Sequence, residues 1–135
     1  KLGACRQVEV ELLDAYAGLL HKLKNSTEGA GTMLLDQTMV LMTSNLRDGN
    51  SHWTYNLPVL FAGGGFKHGQ HLAYNKPYLE SLSDPESDKK PKAIPSMGRD
   101  QTPLCNLYLS MLQRAGVPAD RFGSSSGTLT GLEMV

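Results

Sequence analysis

The chain has 135 residues, which allows one domain with a core burying roughly two-thirds of its unfolded surface. Lysine plus arginine and aspartate plus glutamate each total 13, so the formal charge is zero and no long-range field recruits nucleic acid or an anionic membrane. No apolar run approaches the roughly 20 residues that span a bilayer, and no stretch at the start reads as a signal peptide.

Residues 5–24 read as an amphipathic helix. Leu13, Tyr16, Ala17, Leu20 and Leu23 follow the spacing that keeps one stripe toward a core, and Glu9 and Glu11 come early while His21, Lys22 and Lys24 come late, matching the helix dipole. Asn25 or Gly29 then offers a left-handed residue to end it. The opening residues carry no cap, which predicts that the sequence starts inside a longer protein. Residues 32–37 are too short to assign, with Asp36 placed to cap or turn the chain.

Residues 38–65, TMVLMTSNLRDGNSHWTYNLPVLFAGGG, read as two buried strands, Met39 to Met42 and Leu57 to Ala62, joined by a polar loop and closed by three glycines. Short continuous apolar runs suit strands covered on both faces, although periodicity does not separate them from a buried helix segment. The loop holds Ser44, Asn45, Arg47, Asp48, Asn50, Ser51, His52 and Asn56, and loops at strand ends of α/β proteins are where ligands sit. Gly63, Gly64 and Gly65 before Phe66-Lys67 offer either an anion nest or a hairpin-like turn. The turn is the commoner outcome, because the Walker pattern is missing, and Lys67 then reads as a solvated charge.

His71 to Tyr74 suggests a third short strand. Residues 75–100, with Pro77, Pro85, Pro91 and Pro95 in a polar run, are expected to form a flexible insertion or lid. Thr102-Pro103 opens a second helix, with threonine as N-cap, an apolar stripe of Leu104, Leu107, Tyr108, Met111 and Leu112, and Gly116 and Pro118 as stops. Residues 122–135, rich in glycine and serine, read as a surface-running end with few anchors. Cys5 and Cys105 pair only if their helices pack together; two buried free thiols are the commoner arrangement.

His52, His68 and His71 cluster around the glycine turn with Asp48 just upstream. Imidazole and carboxylate are usual ligands of zinc and similar cations, and Asp48, His52 and His71 form the candidate metal set, for zinc, manganese or calcium. Scattered surface histidines are the competing reading. Ser44, at a strand end, is placed as a nucleophile would be, but the Gly-x-Ser-x-Gly elbow is absent and a strand-capping role is commoner. Trp53 and Tyr55 either line a pocket or simply pack, and Arg99 with Asp100 either binds an anion before the second helix or forms a surface ion pair.

LLDQTMVLMTSNLRDGNSHWTYNLPVLFAGGG, the following GQHL, and TPLCNLYLSMLQRAGV with its trailing FGSSSGTLTGL resemble the C-terminal part of a bacterial family of unknown function named for an HxxSHH signature. KLKNSTEGAGTMLLD and its helix fit the same family, so the resemblance covers nearly the whole chain, while the signature itself would lie upstream. The family looks related to the alkaline phosphatase and sulfatase superfamily. The resemblance implies an α/β fold: a partial alkaline-phosphatase-like sheet with short buried strands flanked by two main helices. It also implies a single domain, 1–135, that is the C-terminal portion of a longer, exported or periplasmic protein, with the upstream part as its partner. Where the superfamily's metal enzymes carry an Asp-His pair after a strand, this chain has Ser44-Asn45-Leu46-Arg47. Asp48 and His52 are the substitutes on offer, and His71 matches the family's Gly-x-His-Leu block. Two functions follow: a metal-dependent phosphate or sulfate ester hydrolase domain whose nucleophile lies upstream, inactive alone, or a non-catalytic envelope or surface module.

Overall fold

In a computed structural model the described residues are 2–47, His52, Thr54, 57–74 and 102–134. They combine helices with small antiparallel sheets. The order is α1 (Leu2–Lys24), β1 (Thr27–Glu28), β2 (Thr32–Met33), α2 (Leu34–Gln37), β3 (Met39–Thr43), β4 (Val59–Gly63) and α3 (Leu104–Arg114). The chain divides into two compact units, Lys1–His68 with Glu133–Val135, and Gly69–Leu132. The expected insertion at 75–100 lies outside the described residues. Among the described residues no helix is long and apolar enough to cross a membrane.

In the first unit α1 ends where its sequence changes character. Asn25 closes the last turn with its amide N–H on His21 O at 3.1 Å and its side-chain Nδ2 on the same oxygen at 2.8 Å, satisfying a carbonyl that the helix leaves open. The cap is therefore a side-chain bond rather than a left-handed residue. Gly29 does take a left-handed conformation, with φ 57°, but in the turn between β1 and β2. Of the expected stripe, Tyr16, Leu20 and Leu23 are half-buried, whereas Leu13 and Ala17 are exposed. Tyr16 donates its hydroxyl to Val40 O at 3.3 Å, tying α1 to β3, and burial pushes its phenol pKa up.

β3 and β4 pair antiparallel in the register Met39↔Gly63, Leu41↔Phe61 and Thr43↔Val59. Both strands of the sequence reading are thus present, the second shifted to include Gly63. Their expected cover on both faces is not: β3 is half-buried, and Val59 and Leu60 are 36% and 43% exposed. A two-stranded ribbon has only one packed face to offer, so an apolar run survives here without full burial. Phe66 is the buried anchor of this unit at 5% exposure. Its ring meets Phe61 at 5.4 Å, and its backbone bridges to Met134. Lys67 reinforces that bridge, with its N–H on Glu133 O at 2.8 Å and its ammonium on the Glu133 carboxylate at 3.4 Å.

In the second unit α3 begins one residue later than the sequence suggested. Pro103 itself is the N-cap residue, in extended conformation, and no side chain caps the end. The stop is as expected. Gly116 takes φ 80°, its N–H bonds Gln113 O at 3.0 Å, and the Val117 N–H bonds Leu112 O at 3.0 Å, the paired bonds of a Schellman motif. Residues 71–74 form no strand; Tyr74 instead donates to Thr130 O at 2.6 Å, its phenol pKa raised by burial. The glycine- and serine-rich end is better anchored than its composition suggested, because Ser125 is buried and pins its own turn, accepting from Phe122 N at 2.8 Å.

Candidate functional site

The glycine turn after β4 is the most tightly specified piece of the first unit. Gly63, Gly64 and Gly65 have φ of 82°, 69° and 75°, a left-handed run that only glycine adopts without cost. A nest for an anion needs its N–H groups aimed at open space. Here the Gly63 N–H donates to His68 Nε2 at 2.8 Å and the Gly64 N–H to Leu35 O at 3.0 Å. These two donors are already satisfied by the protein, which fits the turn reading rather than the nest. The same His68 Nε2 lies 3.1 Å from Gly63 O, so one ring nitrogen meets both backbone groups of Gly63. His68, which the sequence grouped with two other histidines, is thus a turn fastener, steadied by a T-shaped contact with Phe61 at 6.2 Å.

The loop leaving β3 opens with two hydroxyls used on backbone. Thr43 Oγ1 donates to Pro58 O at 2.9 Å across the strand ends. Ser44 Oγ donates to Leu46 O at 2.7 Å and accepts from Leu46 N at 3.2 Å. A serine whose proton is spent on its own turn is not aimed at a base, which fits the capping role rather than the nucleophilic one. His52 is exposed and has φ 53°, the one positive φ outside glycine among the described residues. Of the candidate metal set, His52 falls in the first unit and the exposed His71 in the second, while Asp48 lies outside the described residues. Trp53, Tyr55, Arg99 and Asp100 lie outside them as well. Among the described residues no group of three or more His, Cys, Asp or Glu side chains is placed to hold a metal ion.

The second unit holds a polar cluster that the sequence reading passed over. Asn106 and Ser110, one helical turn apart on α3, are 5% and 8% exposed. Asn106 Oδ1 accepts from Ser126 N at 3.0 Å and its Nδ2 donates to Ser126 Oγ at 3.3 Å. Ser110 Oγ donates to Asn106 O at 3.0 Å and accepts from Leu129 N at 2.9 Å. These bonds strap residues 126–129 onto the helix and leave the buried groups paired, as burial demands. The signal available in sequence was the Asn-x-x-x-Ser spacing within an otherwise apolar helix, followed by a Ser-Ser-Ser-Gly turn.

Cys105 sits in the first turn of α3 beside this strap. Both cysteines are free, and neither is buried as expected: Cys5 is exposed and Cys105 half-buried. Ser124 Oγ donates to Cys105 Sγ at 3.4 Å, and that bond, joined by one from the Ser124 backbone, holds the thiol below its ordinary pKa against the opposing effect of burial. A lower pKa leaves more thiolate at neutral pH. In a Cys5→Ser background, iodoacetamide labelling near neutral pH should therefore slow when Ser124 is changed to Ala, with the pH midpoint of labelling moving up. An unchanged midpoint would mean that Ser124 does not set the reactivity of this thiol.

No family model, curated protein or solved structure matches the chain.

Proposed function

We propose that this chain is the C-terminal portion of an HxxSHH-type protein, a hydrolase-related module of the alkaline phosphatase and sulfatase kind that has no ester turnover by itself. In this reading β3 and β4 belong to a larger alkaline-phosphatase-like sheet completed by the upstream part of an exported, periplasmic protein, which also supplies the nucleophile. The observation that carries the lack of turnover is Ser44, whose hydroxyl donates to and accepts from Leu46 backbone groups at 2.7 and 3.2 Å. The sequence adds that Asn45 stands where the superfamily's enzymes carry a metal ligand. Among the described residues no group of three or more His, Cys, Asp or Glu is placed to hold a cation.

The test is a titration of zinc or manganese into the wild-type chain and His52→Ala, alongside assays with p-nitrophenyl phosphate and p-nitrophenyl sulfate. We expect equal, weak metal binding in both proteins and no metal-dependent hydrolysis. Binding at least tenfold weaker in His52→Ala would restore His52 as a ligand, and hydrolysis lost in Ser44→Ala would restore Ser44 as nucleophile. The second reading, a non-catalytic envelope or surface module, is favoured by the exposed apolar side chains of α1. Joining the chain to its upstream residues separates the two: ester hydrolysis by the longer protein supports the hydrolase reading, and its absence the module reading.

A further inference from the structure

His68 meets Gly63 through a single atom. The Gly63 N–H donates to His68 Nε2 at 2.8 Å, and Gly63 O lies 3.1 Å from the same nitrogen. An imidazole nitrogen carries either a proton or a bare lone pair, so Nε2 serves one of these two groups at a time. The protonation state of the ring decides which.

Two observations fix the choice in the neutral ring. Gly63 is buried, and a buried N–H without a partner is rarer than a carbonyl with one lone pair unused. Gly63 O also accepts a long bond from Phe66 N at 3.5 Å, whereas the Gly63 N–H points to Nε2. The neutral ring therefore keeps Nε2 bare for the N–H and carries its proton on Nδ1. In the imidazolium both nitrogens are protonated. Nε2 then no longer accepts, and its own N–H faces a carbonyl that still has a lone pair to offer, 3.1 Å away.

We propose that His68 is a proton-dependent fastener of the glycine turn: neutral, its Nε2 takes the Gly63 N–H; protonated, it releases that N–H and holds Gly63 O instead. His68 is exposed, so a proton reaches the ring without any opening of the fold. The groups that meet the ring, Gly63 and the Phe61 side chain at 6.2 Å between centroids, carry no charge. The adjoining charges are Lys67 and Glu133, which pair with each other at 3.4 Å. Release is confined to one amide, because the next N–H, of Gly64, is held by Leu35 O at 3.0 Å and not by the histidine. Acid thus changes which group of Gly63 is held at the end of β4, while the ring stays in place. This inference stands apart from the proposed function and needs neither a metal nor an upstream nucleophile.

An NMR titration of the isotope-labelled 135-residue chain across the imidazole range, about pH 8 to 5, tests it. The neutral His68 ring should read as protonated on Nδ1. On acidification the Gly63 amide proton should move upfield with the midpoint shown by the carbon-bound protons of the His68 ring. Exchange protection at Gly63 should fall about fivefold, the loss expected for one net hydrogen bond, with protection at Gly64 unchanged and the His68–Phe61 ring contact kept. In His68→Gln, whose amide both donates and accepts without titrating, the pH response of Gly63 should vanish. A neutral ring protonated on Nε2 overturns the inference. So does a Gly63 amide indifferent to the titration of His68, a response that survives in His68→Gln, or a ring that leaves Phe61 when it is protonated.

Discussion

Gly63→Ala should destabilise the first unit by roughly 2–6 kcal/mol, lowering its melting temperature by about 10 °C or more. Two costs combine. At φ 82° an alanine pays the penalty of left-handed backbone, and the added Cβ would meet Thr38 O and, at 2.6 Å, Leu35 O. Those carbonyls cannot retreat cheaply. Leu35 O accepts from both Thr38 N at 3.3 Å and Gly64 N at 3.0 Å, and Thr38 leads directly into the strand that pairs with Gly63. Gly29→Ala is the control, because it has φ 57° but nothing within 4 Å of its Cβ, and should cost only about 1–2 kcal/mol. Urea melts of the two variants would separate strain from collision. Equal losses would show that the backbone around Leu35 and Thr38 yields freely.

That glycine also marks how far the sequence was readable. Three glycines after an apolar run announce a turn, and a turn is there. Nothing local announces that Gly63 packs under residues 35 and 38, or that His68 folds back to fasten it, since both depend on a partner brought by the sheet register. The same division runs through the candidate site. Ser44 as a capping hydroxyl follows from its place between a strand and a polar turn, whereas the grouping of His52, His68 and His71 rested on proximity in sequence alone. His68 turned out to be engaged by Gly63, which proximity in sequence does not announce.

The C-terminal ends of the helices were legible because their capping chemistry is local: Asn25 and Gly116 close their helices within a few residues, whereas the expected Thr102 cap gave way to Pro103. Helix faces were less so. The stripe Leu13, Tyr16, Ala17, Leu20, Leu23 is half right, because α1 carries two apolar arcs and periodicity does not say which one the first unit covers. On α3 the ambiguity goes further. The expected stripe of Leu104, Leu107, Tyr108, Met111 and Leu112 is half-buried apart from the buried Leu107, while the deepest arc is Asn106, Leu107, Leu109 and Ser110. Two polar residues on that arc hid it from a hydrophobicity pattern, and their burial is made possible by the strap bonds from Ser126 and Leu129.

Leu109→Ala should therefore be the most damaging truncation in α3, costing roughly 2–5 kcal/mol in the second unit. Leu109 is 1% exposed, the one large side chain among the described residues that is fully buried, yet it lies outside the stripe that sequence periodicity selects. Alanine keeps the helix itself intact, since the two residues have similar helix propensity, so the loss reports packing and the cavity left behind. The polar strap makes the cavity harder to close: Asn106 and Ser110 lie between Leu109 and Leu107 on the same arc, and collapse onto the gap would stretch the bonds of 3.0 Å from Ser126 N and 2.9 Å from Leu129 N. Leu112→Ala, at a half-buried position of the expected stripe, should cost clearly less, and Leu109→Met, which keeps the volume, under about 1.5 kcal/mol. Thermal melts followed by circular dichroism, with amide exchange at Ser126 and Leu129 to show whether the strap loosens, would decide it. If Leu112→Ala proves the more destabilising of the two alanine variants, the helix packs by its apolar stripe and the polar arc is not its inner face.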